Sequence, residues 1–154
     1  MSLPFLARYG YIYWIFFKVL LETGMRKGEA AALTWDDIDL EEGMISITKT
    51  LDFQAKNNEV LFGDTKTYHS FRTISIRKGL IKDLTFHREY QNQNKLILKD
   101  NYIHELDLVL CRNNGNFMPK SSLFNAMERI LKKGDLDQIP ICALRVSHAL
   151  LLPD

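Results

Sequence analysis

The stretch before position 23 constrains the fold of this 154-residue chain more than any other. Phe5, Leu6, Tyr9, Ile12, Tyr13, Phe16, Leu20 and Leu21 recur at helical spacings, and Ile15, Phe17 and Val19 fill much of the remaining face. A helix over residues 5–22 that is apolar nearly all round has little to offer water. It belongs at the centre of a core, with other elements built around it. The uncharged run from Tyr9 to Phe17 is bracketed by Arg8 and Lys18 and falls short of the roughly 18 apolar residues that a membrane span needs. No small-residue cleavage site follows it, which speaks against a secretory leader. The tyrosines of this helix read as packing groups.

Thr23-Gly24 stops that helix. Met25-Arg26-Lys27-Gly28-Glu29 follows, two adjacent cations, a glycine and an acid that opens the next helical pattern. Two helices therefore meet at a tight corner that carries Arg26. A guanidinium beside a helix N-terminus suits a phosphate oxygen, because the helix dipole and the cation act together. Taken alone, Arg26 reads first as a solvated surface arginine or an ion-pair partner of Glu29, three residues on. Two further cations, Lys66 and Arg145, are candidates to converge on the same point.

The composition is that of an ordinary globular domain, 46% hydrophobic and 25% charged, and the length suits one domain-sized unit. A net charge of +1 gives no bulk electrostatic case for nucleic acid, so any such case rests on where the cations sit. The two cysteines, Cys111 and Cys142, have no metal or redox spacing and read as free thiols of a reducing compartment. Met1-Ser2-Leu3-Pro4 reads as an expression start joined to the middle of a longer protein.

The remaining chain reads as a mixture of helices and strands. Residues 28–34 form a short second helix whose Ala30, Ala31 and Ala32 allow close approach to a neighbour. Residues 36–40 form one further turn; their three aspartates lack the glycine and glutamate spacing of a calcium loop and read as caps. Strands are expected at 44–48, 60–62 and 71–76, together a small antiparallel sheet, with Lys66 on the turn between the last two. A long surface helix follows over 78–99, then a short strand or extended core segment at 106–111 and a turn at 113–116. Ser121-Ser122 caps a helix that presents Leu123, Phe124, Met127, Ile130 and Leu131 on one face and stops at Gly134. A last helical pattern runs from Cys142 to Leu152 and is halted by Pro153.

Three blocks in this order resemble the catalytic domain of the tyrosine recombinases, specifically phage-type integrases. Thr23-Gly24-Met25-Arg26-Lys27-Gly28-Glu29, with Leu33 to Asp39, is similar to the family's first-arginine box and the acidic turn after it. Thr65-Lys66-Thr67 followed by Phe71-Arg72-Thr73-Ile74 resembles its hairpin lysine and strand. Ala143-Leu144-Arg145-Val146-Ser147-His148-Ala149 resembles its second-arginine box. The resemblance implies an α+β fold, mainly helical with a small three-stranded antiparallel sheet. It implies that Arg26 and Arg145 clamp the non-bridging oxygens of a scissile phosphate and stabilise transition-state charge. Lys66 would protonate the leaving 5′ oxygen, and the spacing of Glu29 suggests that it orients Arg26. It implies site-specific recombination through a 3′-phosphotyrosyl intermediate, without metal or cofactor. The implied partners are double-stranded DNA at attachment sites and other recombinase protomers, with no membrane, in a bacterial or phage-encoded protein of the cytoplasm.

Two departures qualify what is implied. Cys142 stands where the family carries the histidine of its His-x-x-Arg motif, and a thiol is a poorer proton acceptor of another shape. His148 matches a histidine often found downstream in the motif, yet reads equally as a buried core histidine. The family's nucleophilic tyrosine follows the second arginine by some tens of residues, whereas Tyr9, Tyr11, Tyr13, Tyr68, Tyr90 and Tyr102 all precede Arg145. Residues 1–154 are thus expected to be a partial catalytic domain, without the N-terminal DNA-clamping domain or the C-terminal tyrosine segment, and inactive as they stand. The alternatives are a non-catalytic DNA-binding relic and an interaction module whose cations only solvate its surface.

Overall fold

A computed structural model describes residues 10–51, 62–64 and 72–133. Helix α1 (Tyr11–Thr23) is the expected central element. Ile15, Phe16, Val19 and Leu20 are at most 1% exposed, and Ile12, Tyr13 and Trp14 are half-buried against the same core. Full burial of each such side chain contributes about 1.5–3 kcal/mol. The helix ends where the sequence indicates. Gly24 takes a left-handed φ of 71°, and its N–H closes on the Leu20 carbonyl at 3.0 Å. Helix α2 (Lys27–Ala31) follows, shorter than the expected 28–34. Ala30, Ala31 and Ala32 are buried, as close approach requires.

Residues 36–40 do more than turn. A 3₁₀ turn at Trp35–Asp37 leads into strand β1 (Ile38–Asp39). The Asp39 carboxylate accepts the N–H groups of Glu41 and Glu42, and the chain reverses at Gly43 with φ 70° into strand β2 (Met44–Ile47). Strand β3 (Lys49–Leu51) comes next, then β4 (Phe62–Asp64) and β5 (Arg72–Ser75).

The three-stranded antiparallel sheet is present, but its strands differ from those expected. It runs in the order β1-β2-β5, with Ile45 opposite Ile74 and Ile47 opposite Arg72. The segment around Phe62 instead pairs with β3 in a separate two-stranded ribbon, Leu51 opposite Phe62. The strand expected at 44–48 stops at Ile47, and at Thr48 the chain leaves one sheet for the other.

Helix α3 (Lys78–Leu98) buries Leu80, Leu84, His87 and Gln91, one stripe at helical spacing. The stripe begins apolar and ends polar, while Phe86 lies half outside it. Residues 106–111 are an extended core segment that meets the chain beyond α2 in a β-bridge between Leu108 and Thr34. Helix α4 (Lys120–Lys133) begins one residue after Pro119, so Ser121 and Ser122 lie inside its first turn and do not cap it. Its buried face is Leu123, Ala126, Met127 and Leu131; Phe124, one step round the helix, is exposed. Helix α1 begins at Tyr11, because Gly10 is its N-cap with a φ of 92°, so the expected helix over 5–22 does not run through Gly10. The part of that pattern before Gly10, the stop at Gly134 and the pattern from Cys142 to Leu152 lie outside the described residues. Among the described residues no helix is long and apolar enough to cross a membrane.

Candidate functional site

The corner between α1 and α2 is built from its own backbone. Thr23 Oγ1 donates to the Val19 carbonyl at 2.6 Å and accepts the Met25 N–H at 3.2 Å, turning the chain directly after the glycine. Met25 is fully buried and anchors the corner in the core. Arg26 then takes an extended conformation, φ −73° and ψ 151°, as the N-cap of α2. Its N–H donates to Glu29 Oε1 at 2.9 Å. This is half of a capping box, because an arginine side chain has no acceptor with which to complete the other half.

Glu29 is the buried charge of the corner, 2% exposed. Arg72, at the start of β5, holds it in a two-pronged pair: Nη2 to Oε1 at 3.0 Å and Nη1 to Oε2 at 3.1 Å. Forked geometry of this kind is among the strongest side-chain pairings. The Arg26 guanidinium approaches the same carboxylate only to 3.9 Å, and its side chain is 57% exposed. The corner thus has one cation locked inward on the carboxylate and a second turned to solvent. Helix α2 has five residues, too few for its dipole to contribute much, so anion binding here rests on the guanidinium.

The corner is pressed against the β3–β4 ribbon. A Cβ added at Gly28 would lie 2.6 Å from Thr50 Oγ1 and 3.0 Å from the Leu51 carbonyl oxygen, both on β3. The ribbon is also fixed at its base. Lys49 Nζ donates to Asp37 Oδ2 at 2.7 Å and to Thr34 Oγ1 at 3.3 Å. Burial pushes the Asp37 carboxyl up, but Lys49 and the Thr34 donors outweigh it and hold the group below the ordinary carboxylate range. The acidic turn acts as caps and anchors, as its spacing suggests. Its outer side borders a cleft of about 380 Å³ that Asp36, Asp39, Glu41 and Arg88 help to line. No group of metal-binding side chains occurs among the described residues.

Of the residues singled out in the sequence, the structure brings Arg26 and Glu29 together. Lys66, Tyr68, Cys142, Arg145 and His148 lie outside the described residues. In sequence, Lys66 falls between Asp64, the end of β4, and Arg72, the start of β5. Arg72 itself was not among the candidates. It shares strand parity with Ile74 and Ile76, and an arginine on the inward row of a strand requires a buried acid.

Helices around a small antiparallel sheet, with a cationic corner after the central helix, define the class: the α+β fold of tyrosine-recombinase catalytic domains. The solved Tn1549 transposon integrase in complex with circular intermediate DNA superposes with a TM-score of 0.67 over 96% of this chain and 52% of that one, at 17% identity. XerH site-specific recombinase bound to its difH substrate superposes with a TM-score of 0.60 at 26% identity, over 98% of this chain and 36% of that one. The chain belongs to the phage integrase family, whose model matches residues 8–152. A XerC-like tyrosine recombinase of Caldanaerobacter subterraneus subsp. tengcongensis is 28% identical over 142 residues, covering 86% of this chain and 36% of that protein. The ICEBs1 integrase of Bacillus subtilis (strain 168) is 30% identical over 139 residues, covering 89% of this chain and 36% of that protein. The chain therefore spans about a third of the length of these curated relatives, 36% in both cases.

Proposed function

We propose that this chain is part of the catalytic domain of a site-specific recombinase that integrates or excises a mobile element by cutting and rejoining double-stranded DNA. The observation that carries the reading is Arg26: a solvent-facing guanidinium on a corner whose backbone is fixed from both sides. The fixed backbone places the charge beside a phosphate that docks at the corner, and charge set at a defined place is what electrostatic catalysis draws on. Arg145 is the second clamp, and Lys66 delivers a proton to the departing 5′ oxygen. A tyrosine carried by the longer protein attacks the phosphorus, and the phosphotyrosyl bond keeps the energy for religation. The 154 residues alone, with no tyrosine beyond Arg145, bind a phosphate weakly and cut nothing. DNA bearing the attachment site and other protomers are the partners, no metal takes part, and the reaction belongs to the bacterial cytoplasm. Cys142, in the place of the motif histidine, favours a second reading in which the site binds DNA but has lost its chemistry.

One experiment separates these readings. The full-length recombinase is incubated with a nicked duplex carrying its attachment site, with Cys142 in place and as Cys142→His, and the covalent protein–DNA adduct is measured. Adduct from both shows an active recombinase that tolerates the thiol. Adduct from Cys142→His alone shows a decayed enzyme with its remaining site intact. No adduct and no binding in either refutes the assignment.

A further inference from the structure

We propose that Arg72 is a positioning residue whose task is to keep Arg26 available to the DNA, by satisfying the buried carboxylate that would otherwise claim it. The proposal rests on the reading of Arg26 as a phosphate-binding residue. Glu29 is 2% exposed and must be neutralised where it stands. Among the described residues, Arg72 and Arg26 are the cations on it, and they are unequal. Arg72 contributes two direct bonds at 3.0 and 3.1 Å, whereas the Arg26 guanidinium stands off at 3.9 Å. The Arg26 N–H takes a further acceptor position of the carboxylate, at 2.9 Å. These three bonds take about three of the carboxylate's four acceptor positions, both on Oε1 and one on Oε2, and the Arg26 guanidinium stays 3.9 Å from Oε2 without closing on the position left there.

The two arginines also reach the acid from different elements. Arg72 is fixed by β-register, opposite Ile47 of β2, so its fork is delivered by the sheet. Arg26 lies three residues from Glu29 on the α2 corner, the separation at which a helical ion pair closes readily. Remove the fork of Arg72, and the buried carboxylate has one cation within reach among those described. Arg26 then folds down onto it and leaves the phosphate.

The test compares affinity for two duplexes that differ at one position, the scissile phosphate or a methylphosphonate in which one non-bridging oxygen is a methyl group. Fluorescence anisotropy on the full-length recombinase gives the ratio of dissociation constants. The wild type is expected to prefer the phosphate by about tenfold, the scale of one charge-assisted contact. Arg26→Ala is expected to lower the preference to what Arg145 alone supports. Arg72→Gln is expected to lower it as far, and Arg72→Gln with Glu29→Gln to restore the wild-type ratio, because a neutral amide no longer captures Arg26. General damage to the fold lowers affinity for both duplexes and leaves the ratio unchanged. Should Arg72→Gln alone fail to fold, the double variant, which has no unpaired buried charge, still must show the wild-type ratio. A wild-type ratio in Arg72→Gln, or a double variant that stays at the lowered ratio, overturns the proposal while the phosphate reading of Arg26 stands. An unchanged ratio in Arg26→Ala overturns both.

Discussion

Protonation of His87 is expected to destabilise this domain over a defined pH range, and the size of the effect follows from its surroundings. The ring is 1% exposed on the buried face of α3. Nε2 lies 2.5 Å from the Val109 carbonyl, which can only accept, so Nε2 carries the hydrogen. Nδ1 then accepts the Tyr11 hydroxyl at 3.2 Å, and the ring is neutral. Burial pushes its pKa down from 6.5 to about 4, against the smaller opposing pull of the Val109 carbonyl. Because the folded value is the lower one, the unfolded chain takes up a proton first. Stability is therefore complete above the unfolded value of 6.5 and is lost as the pH falls toward the folded value of about 4. The full loss is about 3 kcal/mol, of which about 2 kcal/mol has gone by a pH of about 5. Urea denaturation near pH 7.5 and near pH 5 measures it: the midpoint of the wild type is expected to fall by about 1 M. His87→Gln cannot titrate and is expected to be less stable near neutrality but to lose little more on acidification. The lowered Asp37 carboxyl acts in a separate window, its contribution present above the ordinary carboxylate value of 3.8 and lost below it. If His87→Gln shows the same fall as the wild type between the two pH values, the buried neutral histidine is not the cause.

Three further outcomes follow from the packing. Gly28→Ala drives a methyl group into Thr50 and the Leu51 carbonyl of β3, and is expected to cost about 1–3 kcal/mol by thermal or urea unfolding. Glu29→Ala removes the acceptor for the Arg26 N–H and for both prongs of Arg72; a loss of about 3 kcal/mol is expected in the same assay, toward the lower end for a broken buried pair because Arg72 reaches water. Cys111 is buried, and its thiol is pushed up to about 11, chiefly by that burial. Peptide mapping after brief iodoacetamide treatment near pH 8 is expected to find it unlabelled in the folded protein and labelled in urea.

Which parts of this structure could be read in advance depends on how local their causes are. The central helix and its stop at Gly24 are written in consecutive residues, through apolar periodicity and one left-handed backbone position. The Arg26 corner is visible for the same reason. The sheet was legible as strands but not as a pairing. Alternation at residues 44–48, 60–62 and 71–76 marks extended segments and their faces, whereas partner choice is set by contacts far apart in sequence. Ile38–Asp39, too short to show any alternation, supplies the edge strand, and Phe62–Asp64 goes to the ribbon. Phe124 is exposed although it falls among the apolar positions of α4, because hydrophobicity alone does not show which side of a helix meets the core. The pairing of Arg72 cannot be read locally, because its partner, Glu29, lies 43 positions away. Its parity with Ile74 and Ile76 was the available clue.

The carboxamide of Gln91 has a consequence for how the domain opens. Its Oε1 accepts the Trp35 indole N–H at 2.7 Å, and its Nε2 donates to the carbonyls of Val109 at 2.8 Å and Leu108 at 3.1 Å. The extended segment in turn exchanges backbone bonds with the chain beyond α2, Val109 N–H to Leu33 O at 2.9 Å and Trp35 N–H to Asp107 O at 3.2 Å. Three stretches distant in sequence thus share one polar node, and none can separate without stranding buried donors and acceptors of the other two. Amide hydrogens of Trp35 and Val109, in chain with almost no regular structure, should therefore exchange with solvent only in the same rare events that release the middle of α3. The segment behaves as part of that helix's cooperative unit rather than as a loop.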